Sequence, residues 1–340
     1  MSTLRTSIIF GGTGYIGGRL ASRLRQGELF DRIVLADLKP PTAALEPGIE
    51  FVHCDVRQPI ATQIGDAQAD WIFNFAAVHR EPGHAYNEYF DTNIPGARHV
   101  SAYAERIGCQ NLLFASSISV YGKKARPTDE ATPTYPDSAY GISKLCAELI
   151  HEGWQQRESG RRLIIVRPGV VYGPGDPGNI LRMIHALQKG TFLLPGDGQV
   201  FKSYAYIFGL IDSMEFMLSR REPYVCYNYV ERETESLQGL TRQVRSVLSI
   251  KRPPLRVPES LLVAAAHAIQ LLTRGRSAVH PVRVRKAAQS THIVPAELIR
   301  MGFEFRYDFV RSLRHWIGIA PADFGLNDSQ QAHPRRTENS

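Results

Sequence analysis

Three polar residues, Ser117, Tyr140 and Lys144, have types and spacing suited to proton transfer at a hydroxyl group. Tyr140 and Lys144 are four residues apart in SAYGISKLCAE, so on a helix they share one face. A free tyrosine ionises with a pKa of about 10, and a nearby ammonium group lowers the cost of forming the phenolate. Ser117, in FASSISVYG, would hydrogen-bond the same hydroxyl and steady a developing alkoxide. The set predicts a general base that acts on an alcohol.

A glycine-rich segment, GGTGYIG, follows a predicted strand and opens a predicted helix. Glycine at the first and middle positions lets the backbone turn tightly and approach a pyrophosphate, and the last glycine lets helix and strand pack closely. The helix N-terminus adds free N–H groups and a partial positive charge. This context predicts a dinucleotide-binding loop, with contacts from Gly11, Gly14, Tyr15, Ile16 and Gly17.

Asp37 ends the second predicted strand, 20 residues after Gly17. A carboxylate there accepts both hydroxyls of the adenosine ribose and repels a 2′-phosphate, which favours NAD over NADP. Lys39 is close enough in sequence to soften that preference. With NAD bound, Tyr140 would exchange a substrate hydroxyl proton while hydride moves to or from the nicotinamide.

Short apolar runs alternate with longer amphipathic runs through the first half of the chain, which predicts an α/β fold: a Rossmann-type doubly wound parallel sheet with a smaller C-terminal α/β substrate-binding domain. We expect an NAD-binding core over 1–168, with some later segments returning to it, a mainly substrate-binding part over 169–327, and a disordered tail over 328–340. The predicted strands are Ser7–Phe10, Arg32–Ala36, Glu50–His53, Trp71–Phe75, Asn111–Ala115 and Leu163–Arg167.

Charge and cysteine content exclude few classes of protein, but the cysteines favour a protein of a reducing compartment. The 340 residues carry a formal net charge of +7, and the basic excess concentrates in the C-terminal third, around 274–286. Phosphorylated small molecules or a solvated surface explain that excess without nucleic acid. The four cysteines show no metal-ligand spacing, so we expect no metal site and no disulfides. The N-terminus carries no pattern of a signal peptide, which predicts a cytoplasmic protein.

The most apolar stretch, LLVAAAHAIQLL at 261–272, is shorter than the roughly 20 residues that span a bilayer, so we expect no transmembrane segment. Two interpretations of the stretch remain: a buried or groove-lining helix, which we prefer, and a helix anchored in one face of a membrane.

Taken in order, these motifs resemble those of the extended short-chain dehydrogenase/reductases, specifically the NAD-dependent epimerase/dehydratase family of nucleotide-sugar enzymes. The resemblance covers roughly residues 7 to 215. It is carried by GGTGYIG, Asp37, Asp55-Val56, NFAAVH, DTNIPG, SSISVYG, YGISK and RPGVVYGPG.

The resemblance implies roles for individual residues. Ser117 would polarise the substrate hydroxyl, Tyr140 would act as the base, and Lys144 would orient the nicotinamide ribose. Substrate contacts are expected from Ser117 and Ser119, from His79, which a solvated loop explains equally well, and from Lys202, placed to reach the substrate diphosphate. Further cofactor contacts are expected from Asp55, Val56, Ala76, Ala77, Asn93, Ser116, Tyr140, Lys144, Pro168, Val170 and Val171.

Departures from the family pattern reduce the number of activities that we expect. Family dehydratases place an Asp-Glu pair after the catalytic hydroxyl, whereas Ile118 and Ser119 follow Ser117 here, which disfavours dehydration. A nucleotide-diphosphate sugar is the implied substrate, and a homodimer through helices near 90–107 and 140–158 is the implied assembly. We predict a nucleotide-sugar 4-epimerase that oxidises C4 transiently. The alternatives are a 4-keto-sugar reductase or related dehydrogenase, an enzyme for a lipid-like or steroid-like alcohol, and a non-catalytic cofactor-sensing regulator.

Overall fold

Buried apolar runs form the strands and amphipathic runs form the helices, as the alternation in the sequence predicts. The computed structural model describes residues 5–80, 83–124, 126–176, 178–273 and 290–326. The strands in chain order are β1 (Thr6–Phe10), β2 (Arg32–Asp37), β3 (Ile49–His53), β4 (Trp71–Asn74), β5 (Asn111–Ala115), β6 (Arg162–Pro168), β7 (Val170–Tyr172), β8 (Leu193–Pro195), β9 (Phe201–Lys202), β10 (Tyr204–Tyr206), β11 (Tyr224–Tyr229), β12 (Glu235–Ser236) and β13 (Leu255–Val257). The six predicted strands all form, with ends that shift by one residue at most.

Helices connect and cover these strands. They are α1 (Tyr15–Gln26), α2 (Ala61–Ile64), α3 (Tyr86–Arg106), α4 (Ala139–Gln156), α5 (Asn179–Gln188), α6 (Ile207–Leu218), α7 (Leu237–Val247) and α8 (Glu259–Leu272), with two further helices at Ala296–Arg300 and Phe309–Ile319 and 3-10 turns at Ile118–Tyr121 and Pro321–Phe324.

The central sheet has seven strands in the order β11-β6-β5-β4-β1-β2-β3, and every neighbouring pair is parallel. The predicted α/β doubly wound fold is therefore confirmed. The strand order reverses between β1 and β4, and in such a sheet the ligand lies in the crevice outside the carboxyl ends of the strands at that point. Strand β11 joins the sheet from late in the chain, beside β6.

Each face of the sheet carries its own apolar core, because successive strand residues point to opposite sides. Ile8 belongs to the cluster on the face covered by α3 and α4, and Ile9 belongs to the cluster on the face covered by α1 and α6. Helices α3 and α4 meet over a long contact. This packing fixes α4 over the sheet, so side chains at its N-terminal end are held at the carboxyl edge of the strands.

The later half of the chain adds small strand pairs outside the main sheet. Strand β10 pairs with β7, β12 with β9, and β13 with β8. Of the preferred interpretation of 261–272 as a buried or groove-lining helix, the helix forms but burial is wrong, because Ala266 is the one buried residue in α8. The basic run at 274–286 and the predicted tail at 328–340 lie outside the described residues.

Candidate active site at the carboxyl edge of the sheet

The glycine loop (Gly11–Gly17) crosses the switch point between β1 and β4. Gly11 has a φ of +73°, and a Cβ there would lie 2.7 Å from the Ala76 nitrogen. A Cβ at Gly17 would lie 2.5 Å from the Gly11 carbonyl oxygen. Because side chains are excluded at both points, the loop lies directly on the start of α1 and on the segment after β4. The sequence motif thus forms the close turn that it predicts, and Gly17 packs against the loop itself.

Helix α1 leaves its first N–H groups free of side-chain caps. Its N-cap is Gly14, which makes no side-chain hydrogen bond, and the first turn has no acidic residue. Uncapped N–H groups and the positive end of the helix dipole favour an anion at this position.

Asp37 lies beside the same loop, at the carboxyl end of β2. Its carboxylate accepts a hydrogen bond from the Thr13 backbone N–H at 3.2 Å and one from the Lys39 N–H at 3.3 Å. The side chain of Asp37 is thereby held next to the glycine loop, where a carboxylate would meet ribose hydroxyls.

Asp55 and Val56 follow β3, and a neighbouring arginine already engages the carboxylate. Arg57 contacts both Asp55 oxygens, at 2.9 Å from Nε and 2.6 Å from Nη2, and this pairing lowers the pKa of Asp55. Val56 is buried and its carbonyl oxygen lies 2.9 Å from His99 Nδ1. The pairing with Arg57 was not foreseen, and the role of Asp55 toward a cofactor remains a prediction.

Asn93 links the segment after β4 to helix α4. Its Oδ1 accepts from the Val78 N–H at 2.8 Å, and its Nδ2 donates to the Val78 carbonyl at 3.0 Å and to Ser143 Oγ at 2.9 Å. Ala76 and Ala77 are half-buried in the segment so held. The buried amide therefore fixes the position of this segment relative to the helix that carries Tyr140.

The serine pair follows β5 at the same edge of the sheet. Ser117 caps the 3-10 turn: its Oγ accepts from the Ser119 N–H at 3.1 Å and donates to Ser119 Oγ at 3.1 Å. Ser116 is anchored by its N–H to the Val166 carbonyl at 2.7 Å, and its buried Oγ has no hydrogen-bond partner among the described residues. A buried hydroxyl without a partner is costly, so it marks a place where a bound group would supply one.

Helix α4 brings Tyr140 and Lys144 to these serines. Ser138 caps the helix by accepting from the Gly141 N–H at 3.1 Å, and a Cβ on Gly141 would lie 2.4 Å from the Ser119 carbonyl oxygen. The first turn of α4 is thus pressed against the 3-10 turn after Ser117. The Tyr140 ring lies 6.2 Å from the buried ring of Tyr89, measured between centroids.

Lys144 is buried below Tyr140, with its Nζ 4.0 Å from the centroid of the Phe114 ring. Burial lowers the pKa of Lys144 to about 7, and the charge of Glu148 opposes that shift. The charged form of Lys144 is therefore only weakly stabilised in this site, and a negative charge that develops nearby stabilises it further.

A polar layer under Lys144 was not predicted from the sequence. Arg167 Nε and Nη2 donate to the two Glu148 oxygens at 2.9 and 2.6 Å, and Nη1 donates to Tyr121 Oη at 3.0 Å. His151 is also buried: its Nε2 lies 3.1 Å from Asn74 Nδ2, and its Nδ1 lies 2.9 Å from Ser101 Oγ. No local sequence pattern pairs residues so far apart. The position of Glu148, one helical turn after Lys144, could however have indicated that these two side chains are close.

The remaining predicted positions line the later part of this edge. Pro168 ends β6, and Val170 and Val171 are half-buried in β7. Lys202 lies on β9, and desolvation lowers its pKa to about 8. His79 keeps exposed surface on the segment after β4, while partial burial of its ring, together with the cations Arg80 and Lys144, lowers its pKa. In the described part of the chain, no three acidic, histidine or cysteine side chains are placed to hold a metal ion.

Comparison with known proteins identifies the family. The family model described as the NAD dependent epimerase/dehydratase family matches residues 7–228. The chain belongs to this family. Its members are NAD-dependent enzymes of the extended short-chain dehydrogenase/reductase type, so the predicted resemblance, enzyme class and cofactor are confirmed.

Relatives in the epimerase/dehydratase family differ in what they are named for. One, from Escherichia coli O157:H7, is the N-acetyl-alpha-D-glucosaminyl-diphospho-ditrans,octacis-undecaprenol 4-epimerase. It is 28% identical over 311 residues, which is 90% of this chain and 92% of that protein. The short-chain dehydrogenase/reductase family 42E member 1 of Xenopus laevis is 26% identical over 61% of this chain, which spans 57% of that longer protein.

A solved relative reproduces the fold. The structure of the UDP-glucuronic acid 4-epimerase from Bacillus cereus with NAD superposes with a TM-score of 0.72 at 17% identity, covering 94% of this chain and 99% of that one. Among the described residues, no helix has the length and apolar character needed to cross a membrane.

The residues at the switch point fit NAD. Gly11 lets the loop turn tightly against the segment after β4, the N-terminus of α1 is uncapped, and the Ser116 hydroxyl lacks a partner within the described structure. Asp37 stands where a 2′-phosphate would be repelled.

Proposed function

We propose that the chain is a 4-epimerase of a diphosphate-linked sugar, with Tyr140 as the base. The observation that carries this proposal is the contact between the first turn of α4 and the turn after Ser117, where Gly141 leaves no room for a side chain against Ser119. This contact puts the helix that bears Tyr140 and Lys144 beside the serine hydroxyl, at the edge of the sheet where the glycine loop lies.

Each residue of the set has a separate task. Ser117 holds the C4 hydroxyl of the sugar in a hydrogen bond and orients it. Tyr140 accepts the hydroxyl proton and later returns it. Lys144, whose ammonium is weakly held in its buried position, stabilises the negative charge on the Tyr140 oxygen. NAD, when bound, supplies reversible hydride transfer, so that C4 is oxidised and then reduced on the opposite face of the sugar.

The polar layer under α4 gives Lys144 its setting. The Glu148 carboxylate favours the charged form of Lys144, and Arg167 fixes that carboxylate through both of its oxygens. Glu148 and Arg167 are therefore positioning residues, which act through Lys144 and do not touch the sugar.

Lys202 is the cation we assign to the substrate diphosphate. A desolvated ammonium binds an anion more strongly than a hydrated one, because little water must be displaced. A nucleotide is the carrier on the other side of the diphosphate in our primary proposal.

A lipid carrier is the second candidate, and two observations favour it. The Escherichia coli relative that matches along 92% of its length is named for an undecaprenol-linked diphospho sugar. In addition, α8 presents leucines to solvent, with Leu271 and Leu272 82% and 83% exposed.

A substrate panel tests the proposal. Purified chain is incubated with UDP-, dTDP- and GDP-sugars and with polyprenyl-diphospho-sugars, and the sugar released by mild acid is resolved by chromatography. We expect conversion between C4 epimers with no net change in NADH absorbance. Net oxidation or reduction of added cofactor would indicate a reductase or dehydrogenase instead, and bound NAD without turnover on any carrier would indicate a regulator.

A tyrosine variant tests the mechanism. Tyr140→Phe removes the proton acceptor but keeps the ring, so turnover should fall at least a thousandfold while the Kd for NAD stays within twofold. Full activity in this variant would show that another group handles the proton.

We also propose that two copies associate through the outer faces of α3 and α4, where Leu149 is exposed. Leu149→Asp should convert a dimer into a monomer in size-exclusion chromatography with light scattering. A native chain that is already monomeric at micromolar concentration would refute this assembly.

A further inference from the structure

Helix α8 presents an apolar stripe to solvent, bordered by the exposed His267. Leu261, Leu271 and Leu272 are 59%, 82% and 83% exposed, and Ala264, Ala265 and Ala268 are exposed between them. These positions recur at intervals of three and four residues, so they form one stripe along the helix. An isolated exposed leucine is ordinary, whereas a stripe of this kind marks an interaction surface.

The inner side of α8 is apolar as well. Leu262, Val263 and Ile269 are half-buried and Ala266 is buried, so this side of the helix is less exposed than the outer stripe. One side of the helix is therefore partly covered, and the outer stripe is the more exposed side. At 14 residues and about 21 Å, α8 is too short to cross a bilayer but long enough to lie along its surface.

Basic residues lie at the start of the stripe. Lys251, Arg252 and Arg256 are exposed just before α8, together with Leu255 on β13. Glu259 is the only acidic residue in the sequence from 251 to 273. Cations beside an apolar helix face are complementary to an anionic lipid surface, where phosphates meet the basic residues and acyl chains meet the leucines.

The same charges argue against a second copy as the occupant. A two-fold interface that packed two copies of this stripe in parallel would bring two sets of cations together. The leucine and alanine positions of the outer stripe also offer no side-chain hydrogen-bond donors or acceptors to a protein partner.

The chain reaches α8 from the substrate side of the molecule. Strand β13, which precedes α8, pairs with β8, and the Gly196 N–H donates to the Val257 carbonyl at 2.9 Å. Further along the chain, the Thr291 N–H donates to the Phe201 carbonyl at 2.9 Å, next to Lys202 on β9.

We infer that the exposed stripe of α8 docks this protein on the surface of an anionic lipid bilayer, with the helix lying in the interface. This inference does not rest on the proposed activity, because docking needs neither substrate nor NAD.

Vesicle binding tests the inference with the full chain and no substrate. Vesicles of phosphatidylcholine alone and of phosphatidylcholine with 30% phosphatidylglycerol are sedimented with the protein at low and high salt. We expect binding to the anionic vesicles that weakens as salt rises. Leu271→Asp/Leu272→Asp should weaken it at least tenfold, and Lys251→Glu/Arg252→Glu should weaken binding to anionic vesicles selectively.

A matched control separates the stripe from general surface hydrophobicity. Ile319 is 51% exposed at the end of a different helix, so Ile319→Asp makes the same kind of change elsewhere and should leave vesicle binding unchanged. The double leucine variant should also keep the oligomeric state of the native chain. Loss of a dimer in that variant would show that a second copy covers the stripe, and would overturn the inference.

A tryptophan probe gives a readout that survives poor folding of the charged variant. Leu271→Trp keeps the stripe apolar, and brominated anionic lipids should quench its emission well beyond the quenching seen with the native chain. Equal quenching in the two proteins, or native chain that stays in solution with anionic vesicles at low salt, would refute docking through α8.

Discussion

Gly17 and Gly18 are adjacent in helix α1, and the structure predicts opposite results for the same substitution. An alanine Cβ at Gly17 would lie 2.5 Å from the Gly11 carbonyl oxygen and 2.9 Å from Gly12 Cα, both of them backbone atoms of the glycine loop. A Cβ at Gly18 would meet its nearest atom, the Gly12 carbonyl oxygen, at an ordinary 3.6 Å.

The magnitudes follow from two opposing effects. Alanine in place of glycine stabilises a helix by about 0.5–1 kcal/mol at either position. At Gly17 the crowding costs about 1–3 kcal/mol, because the loop must move away from α1. Near the middle of these ranges, Gly17→Ala should lose about 1 kcal/mol, a fall in Tm of about 1–2 °C for a chain of this length, and Gly18→Ala should gain about 0.5–1 kcal/mol, a rise in Tm of about 1 °C.

Cofactor binding gives the decisive readout. The displaced loop in Gly17→Ala should weaken NAD binding about tenfold, roughly 1.4 kcal/mol, while Gly18→Ala binds as the native chain does. Thermal melting with and without NAD, and titration calorimetry, measure both quantities. Native affinity and native Tm in Gly17→Ala would refute the argument that the loop must touch the start of α1.

Three further changes have expected outcomes. Asp37→Ala should relax cofactor choice toward NADP, measured as the ratio of the two Kd values, and a preference for NADP in the native chain would contradict the role of Asp37. Arg167→Met leaves the Glu148 carboxylate buried without its partner and should cost about 3–5 kcal/mol in urea unfolding, with part of the loss restored by adding Glu148→Gln; native stability in the single variant would show that the pair contributes nothing. Burial, with Lys144 nearby, lowers the pKa of His151 to about 3. Below about pH 6.5 His151 therefore binds a proton in the unfolded chain but not in the folded chain. The free energy of unfolding should decrease as the pH falls, by about 2 kcal/mol at pH 5 from this group. Urea unfolding of His151→Gln should show a smaller loss between pH 7.5 and pH 5, and an equal loss would assign the effect to other groups.

The sheet could be predicted because its strands are continuous apolar runs covered on both faces, a pattern that few other structures produce. The glycine loop was predictable for a similar reason, since backbone contacts at Gly11 and Gly17 leave room for no other residue. Gly12 was not singled out, although a Cβ there would lie 2.8 Å from Leu35 Cα. Its constraint comes from β2, which the loop motif does not include.

Other features depend on contacts between distant segments. The pairing of Arg167 with Glu148, and of His151 with Asn74 and Ser101, joins different elements, so no local spacing encodes it. Helix α8 is a case in which the local sequence predicts the wrong environment. A sequence that is apolar on every side of a helix predicts burial, and only the fold reveals that one of those sides is left in solvent.

The amide of Asn93 also restricts the chemistry of any group that approaches it. Both of its hydrogens are committed, one to the Val78 carbonyl and one to Ser143 Oγ, whereas within the described part of the chain Oδ1 accepts only the Val78 N–H. An amide oxygen has two lone pairs, so one stays available. A ligand atom can therefore be received here only if it brings its own hydrogen, which admits a hydroxyl or an amine and turns away a bare carbonyl or phosphate oxygen.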